Sequence, residues 1–174
     1  MNAAALPDAA AGRRTLALIV GLLVLPFALG AGLYFSGWRP SQPGNRGELL
    51  QPPQPLGVAL PAEAAGKWLL VLAADGPCDA ACGARIDEMR RIQVSLNKEM
   101  GRVRRLVIAP DLADPALAAA RSAQPDLLLV RRDVAPGVYV ADPGGNLILR
   151  YGPGKDARDI RTDLDRLLKF AWTG

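Results

Sequence analysis

Histidine is absent from the 174 residues, which removes His-based triads, His-ligated haem or zinc, and any histidine general base. Cysteine occurs only twice, and no G-x-G-x-x-G or Walker loop follows any apolar run. The nearest candidate for a phosphate loop, Gly152-Pro-Gly-Lys155, lacks its second half. A basic stripe is missing as well: 21 Lys+Arg against 17 Asp+Glu give a net charge of +4, with the two signs interleaved. Nucleic-acid binding is therefore disfavoured. What the chain does have is 50% hydrophobic and 22% charged residues, too apolar for disorder and too evenly charged for a many-span membrane protein. Its length suits one globular domain with appendages. Carboxylate or cysteine chemistry remains.

The first appendage is Thr15 to Phe35, 21 residues without a charge, where about 20 apolar residues cross the hydrocarbon core. A cleavable signal peptide is the competing reading, with Arg13 and Arg14 as its basic region and Gly30, Ala31 and Gly32 as a cleavage site. The run exceeds the roughly 7–15 apolar residues of a signal sequence, and Tyr34 and Trp38 stand where interface anchors belong. The expectation is an uncleaved transmembrane anchor over 15–35. Two arginines flank it on each side, but Arg13 and Arg14 abut it behind a short tail, which predicts a cytoplasmic tail over 1–14 and an exported remainder.

Gly37 to Pro61 holds six prolines and four glycines in 25 residues, a composition that keeps the chain extended. Residues 36–61 read as a stalk. Its first half is equally consistent with a tether or with a strap against the domain, and Asn45 to Pro52 carries enough leucine to dock.

From residue 62 onward the pattern is that of a domain. Lys67 to Ala73 is a nearly continuous apolar run, as in a strand covered on both faces. Residues 79–100 place Cys82, Ile86, Met89, Ile92 or Gln93, Leu96 and Met100 at helical steps, with Gly101 as the stop. Val103 to Ala109 reads as a second strand. A short helix follows over Pro115 to Arg121, capped by Asp114 with Pro115 in its first turn. A short apolar run covers Asp126 to Val130. Gly137 to Ala141 and Asn146 to Tyr151 flank the turn Asp142-Pro-Gly-Gly, and a last helix spans about 157–170 on an inner face of Ile160, Leu164, Leu167 and Leu168. This alternation predicts an α/β domain with helices on both sheet faces, in the order of the thioredoxin architecture, over 62–174. Arg102, Arg104, Arg105, Arg131 and Arg132 read as solvated strand ends, or as a site for an acidic partner or anionic headgroups.

The two cysteines, Cys78 and Cys82, fall between the first core strand and the first helix. A thiol there faces unsatisfied N–H groups and the positive end of the helix dipole, while Asp79 opposes a second negative charge at Cys78. Four residues of separation place the Cα atoms about 6 Å apart. Both a disulfide and a two-thiolate metal clip are open to such a pair, and so is plain burial of one or both thiols. Cys78, preceding the cap, is expected to be the more exposed and to attack; Cys82, on the inner helical face, to resolve.

A single anchor, a proline-rich stalk and Cys78-x-x-x-Cys82 at the head of the first helix of a thioredoxin-like domain resemble the Sco-type assembly proteins of cytochrome c oxidase. Asp133 to Gly145 is similar to the family segment that runs from an Asp-His pair into a strand, with Tyr139, Pro143 and Gly145 matching. The resemblance implies that Cys78 and Cys82 are catalytic thiols and copper ligands, and that the partners are the membrane and a respiratory oxidase subunit or its assembly factors. It implies a bacterial inner-membrane protein with its C-terminal domain in the periplasm. Val134 falls where the family has its copper-binding histidine, and Gly83 follows Cys82 where proline is usual. Two soft thiolates without a nitrogen suit Cu(I) rather than Cu(II). The expectation is a divergent, histidine-free relative acting as dithiol reductant or Cu(I) carrier, with Val134 near both sulfurs and Pro136, by analogy, a candidate cis proline. The alternative is a non-catalytic assembly scaffold whose cysteine pair is structural.

Overall fold

The structure, a computed structural model, describes residues 9–37 and 44–170, which fall into two compact units divided between Pro43 and Gly44. In the first unit, α1 (Ala9–Phe35) extends the expected apolar segment by six residues toward the amino terminus. Within its Gly12–Phe35 stretch an 18-residue window reaches a mean hydropathy of 2.5, and none of that window is buried. At 1.5 Å per residue it is about 36 Å long, enough to cross a hydrocarbon core of about 30 Å. Pro26 sits inside this helix, which transmembrane helices tolerate.

The second unit is built on one six-stranded sheet. Its elements are β1 (Glu48–Pro55), β2 (Trp68–Ala73), α2 (Ala80–Ser95), β3 (Val103–Ala109), α3 (Pro115–Ala123), β4 (Leu127–Arg131), β5 (Gly137–Ala141), β6 (Asn146–Tyr151) and α4 (Ala157–Phe170). The strand order is β1-β6-β5-β2-β3-β4. β2, β3 and β4 run parallel, while β5, β6 and β1 add antiparallel. Every residue of β2 is buried, which is why its sequence is apolar without alternation.

The expectation of helices on both faces is not met. Trp68, Leu70 and Leu72 meet Ile86 and Met89 of α2, Leu117 of α3 and Ile160, Leu164 and Leu168 of α4 in one cluster. The opposite face, with Leu69, Val71, Leu106 and Ile108, is covered by Leu56, Leu60 and Ala64 from the chain ahead of β2. The reason is topological: β2, β3 and β4 step in one direction across the sheet, and right-handed crossovers then place α2 and α3 on the same side.

The proline-rich stretch read as a stalk over 36–61 therefore divides. From residue 44 it belongs to the compact unit, and β1 pairs with β6 through Glu48–Arg150, Leu49–Leu149, Gln54–Leu147 and Pro55–Asn146. Leu56 is 1% exposed, and its removal from water contributes about 2 kcal/mol. Its N–H donates to the Gly145 carbonyl at 2.8 Å. Gly145 sits at φ +80° in the Asp142–Asn146 turn, a conformation that favours glycine.

A buried carboxylate fixes the start of this strap. Asp163 of α4, 1% exposed, accepts from the N–H of Arg46 at 2.9 Å, the N–H of Gly47 at 2.9 Å and the Tyr151 hydroxyl at 3.0 Å. A Cβ on Gly47 would come within 2.7 Å of the Tyr151 ring, so only glycine admits this approach.

Two local expectations also change. The first long helix ends at Ser95 rather than running to residue 100; Asn97 takes φ 51° and a 3-10 stretch, Asn97–Arg102, leads into β3. Met100, placed on the inner face by periodicity, is 48% exposed as a result. Arg105 is not a solvated strand end but is 1% exposed. It donates to Gln93 Oε1 at 2.7 Å, to Gln124 Oε1, and to Asp126 at 2.6 Å. Partial burial works against ionisation of Asp126, but the hydrogen bond and charge of Arg105 outweigh it and hold the carboxyl below its usual range.

Candidate functional site

Cys78 and Cys82 lie at the carboxyl end of β2, where the loops after parallel strands converge. Asp79 is the N-cap of α2 and its carboxylate accepts the Cys82 N–H at 2.9 Å. The cap places Cys78 outside the helix and Cys82 in its first turn, with Cα atoms 5.2 Å apart. The sulfurs are joined as a disulfide, so of the pairings open to these residues the structure shows the disulfide.

Exposure is the reverse of the sequence expectation. Cys78 is only 8% exposed and belongs to the helix-side core, whereas Cys82 is half-buried and lines a cleft of about 430 Å³. Beside the pair, Asp114, which caps α3, also reaches across to accept the Cys78 N–H at 2.5 Å. The N–H groups of Cys78 and Ala116 hold the Asp114 carboxyl below the usual carboxylate range. The sequence marks Asp114 as a helix cap alone; its second role follows from β3 lying beside β2, which brings the loop after β3 to the cysteines.

Besides Cys82 the cleft presents Asp79, Arg85, Pro136, Arg150 and Tyr151. Arg85 is ion-paired with Glu88 and approaches the Lys155 carbonyl at 3.4 Å. Arg150 lies over Gly137 and donates to the Pro136 carbonyl at 3.4 Å. Tyr151 links this wall to the buried Asp163, and burial together with the Asp163 charge pushes its phenol well above the ordinary value, so it stays a proton donor. Neither Arg150 nor Tyr151 is singled out by the sequence as a site residue, because each reads there as an ordinary member of a strand.

Two expected neighbours behave differently. Pro136 does line the cleft, but the cis bond among the described residues is Gln51–Pro52, not Ala135–Pro136. Val134 does not approach the sulfurs. It packs against the cluster on the other sheet face, in a loop held by the Tyr139 hydroxyl donating to the Ala135 carbonyl at 2.6 Å. A histidine introduced there would not complete a site with Cys78 and Cys82.

Among the described residues no three or more His, Cys, Asp or Glu side chains gather to hold a metal. Reduced, the pair offers two sulfur donors, a set that fits Cu(I) and lacks the nitrogen that Cu(II) favours.

Asp114→Ala is expected to free the Cys78 backbone and uncap α3 together. The disulfide should then be reduced several-fold faster by dithiothreitol, measured by alkylation and mass shift. An unchanged rate would mean that Asp114 does not hold the loop. Because its folded-state pKa is lowered, the clamp is present above the unfolded value of 3.8 and lost as pH falls through the lower folded value.

A mixed sheet with an antiparallel hairpin, helices packed on its face and a cysteine pair at the head of the first of those helices define a thioredoxin-like protein with a disulfide-forming C-x-x-x-C. Residues 68–171, from β2 through the last helix, match the family described as transmembrane-like, thioredoxin-like, C-terminal domain, and the chain belongs to that family. β1 and the strap lie ahead of the matched region. Among curated proteins nothing matches. Among solved structures it is similar to Arabidopsis thaliana ScoI with copper bound, at 12% identity over 62% of this chain and 88% of that one, with a TM-score of 0.51. It is also similar to yeast Sco1, at 18% identity over 77% and 98% of the two chains, with a TM-score of 0.50. The likeness to Sco proteins read from the sequence is thus met in the fold.

Proposed function

We propose that Cys78 and Cys82 form a two-electron thiol–disulfide couple, and that the chain is a membrane-anchored dithiol protein assisting assembly of cytochrome c oxidase. The observation that carries this reading is a disulfide at a helix head with Cys78 buried in the core and the half-buried Cys82 lining a cleft. In the reducing direction the Cys82 thiolate attacks one sulfur of a partner disulfide, forming a mixed disulfide and releasing the partner's other sulfur as thiolate. Cys78 then attacks Cys82, which regenerates the observed disulfide and expels the second partner thiolate. Two electrons pass to the partner, and a separate dithiol donor restores the pair.

The Sco-type resemblance supplies the partner, the copper-site cysteines of oxidase subunit II. In a second reading, favoured by two sulfurs close enough to share one ion, the reduced pair carries Cu(I) as cargo. In both, α1 anchors the chain in a bacterial inner membrane and the thioredoxin-like unit works in the periplasm.

The test replaces both cysteines by serine in cells. The copper-site cysteines of subunit II are expected to stay oxidised, and assembled oxidase to fall several-fold. A membrane-impermeant maleimide should label wild-type Cys82 in intact cells after reduction. Unchanged oxidase and thiol state in the double variant would overturn the reading, and labelling only after lysis would overturn the location.

A further inference from the structure

The two edges of the sheet are built differently. β1 carries Pro52, Pro53 and Pro55, and its register with β6 slips between Leu49 and Gln54. Proline removes backbone donors and a slip bends the strand, so this edge resists a further strand. β4 at the other edge has no proline and keeps an unbroken register with β3 from Leu127 to Arg131. One side of its backbone is paired with β3, and among the described residues no strand lies on the other. Leu129 leans on the helix-side core, Leu128 and Val130 on the opposite one, and all three stay half-buried. Such an edge is a template for strand addition.

Charge selects the occupant. A groove of about 600 Å³ beside β4 is lined by Leu128, Leu129, Met100, Arg104, Arg121 and Asp126, among others. Arg104 and Arg121 in the groove and Arg131 at the strand's end form no ion pair among the described residues. Among the described residues Arg104 donates to the Gly101 and Val103 carbonyls, at 3.4 and 3.1 Å. Asp126 is already held by Arg105, which leaves Glu63 as the groove's acid without an ion pair. The five residues of β4 span about 17 Å, so a strand laid along them meets unpaired cations near both ends.

We propose that the free edge of β4 receives an extended acidic segment of a partner protein. The segment adds as a seventh strand, with its backbone paired to β4 and its carboxylates on Arg104, Arg121 and Arg131. A second copy fits less well: antiparallel pairing of two β4 strands about Leu129 sets each Arg131 opposite Leu127 and supplies the arginines with no carboxylate. Anionic headgroups would meet the arginines but leave the strand's backbone groups unpaired.

The test uses the full chain in phosphatidylcholine nanodiscs and a fluorescein-labelled eight-residue peptide of alternating valine and glutamate, with its valine–lysine counterpart. The glutamate peptide is expected to bind roughly tenfold more tightly, the worth of two or three exposed ion pairs. It should slow amide hydrogen exchange at 127–131 and not at 48–55. N-methylation of alternate peptide bonds in the peptide should abolish binding, and the double variant Arg104→Glu, Arg121→Glu should prefer the lysine peptide with exchange elsewhere unchanged. Equal binding of the two peptides, indifference to N-methylation, or protection at the cysteine cleft would overturn the proposal. Protection of β4 that grows with protein concentration alone would assign the edge to a second copy. Protection produced by phosphatidylglycerol without peptide would assign the arginines to lipid.

Discussion

Cys78→Ser is expected to accumulate a mixed disulfide through Cys82, and Cys82→Ser to accumulate little. With Cys78 replaced, the half-buried Cys82 on the cleft can still attack a partner disulfide, but nothing remains to displace the partner. With Cys82 replaced, the remaining cysteine is the 8%-exposed Cys78, whose backbone N–H is held by Asp114, so a partner disulfide reaches it poorly. Both variants lose the same cross-link. Closing so short a loop is worth about 2 kcal/mol in the chain-entropy account, so both should remain folded and comparably destabilised. A difference in trapping then reports access alone. The check is non-reducing electrophoresis of alkylated membranes, followed by mass spectrometry of the adduct. Several-fold more adduct from Cys78→Ser is the expected result. The reverse ratio would make Cys78 the attacking thiol, and negligible trapping by both would favour a structural pair.

Asp163→Ala is expected to cost about 4 kcal/mol, because it leaves the Tyr151 hydroxyl and the Gly47 N–H buried without an acceptor and releases the Arg46 N–H. For a domain of this size the melting temperature should fall by on the order of 10 °C. Asp163→Asn keeps an acceptor oxygen and should lose less. Tyr151→Phe removes one donor and should cost about 1 kcal/mol, with a distinct pH signature. The Tyr151 phenol is raised above its ordinary value of 10.0 in the folded state. Its contribution is therefore complete below that value and declines as pH rises beyond it, where the unfolded tyrosine ionises and the folded one does not. Denaturant titrations at alkaline pH should show that decline in the wild type and a shallower one in Tyr151→Phe. A loss below 1 kcal/mol in Asp163→Ala would mean that the strap holds without its carboxylate.

The parts of this fold legible in the sequence are those whose burial is written in side-chain pattern. Val103–Ala109, Gly137–Ala141 and Asn146–Tyr151 stand where the apolar runs and the Asp142 turn put them. Asp114 and Pro115 mark the start of α3 correctly because capping is local chemistry. β1 was hidden by its composition: Glu48–Pro55 contains three prolines and is almost wholly exposed, so no hydrophobic period announces it. Asp163 and Arg105 were hidden for the opposite reason. Each occupies a core position that the pattern assigns to apolar residues or to a strand end, and each is admitted by long-range partners that no local window contains. The cysteine pair was legible by position, and its geometry was not. Which cysteine is the more exposed depends on a loop conformation that spacing does not encode, a loop whose Cys78 N–H is held by Asp114, 36 residues away. Val134 shows the same limit: a match in a short segment does not decide the sheet face on which a residue ends.

The strand β1 also bears on how the domain can be shed. A cut ahead of Gly44 detaches the hydrophobic helix and leaves the sheet entire. A cut between Glu48 and Pro55 instead breaks an edge strand, frees the clamp on Asp163 and uncovers the parts of β6 that β1 pairs with. β6 has no proline and alternates buried with half-buried residues, so the trimmed product would present a sticky ribbon at the very strand that carries Arg150 and Tyr151. Forms of this protein without α1, whether made by a protease or by truncating the gene, keep their shape only if the proline-rich segment from Gly44 stays attached to the domain.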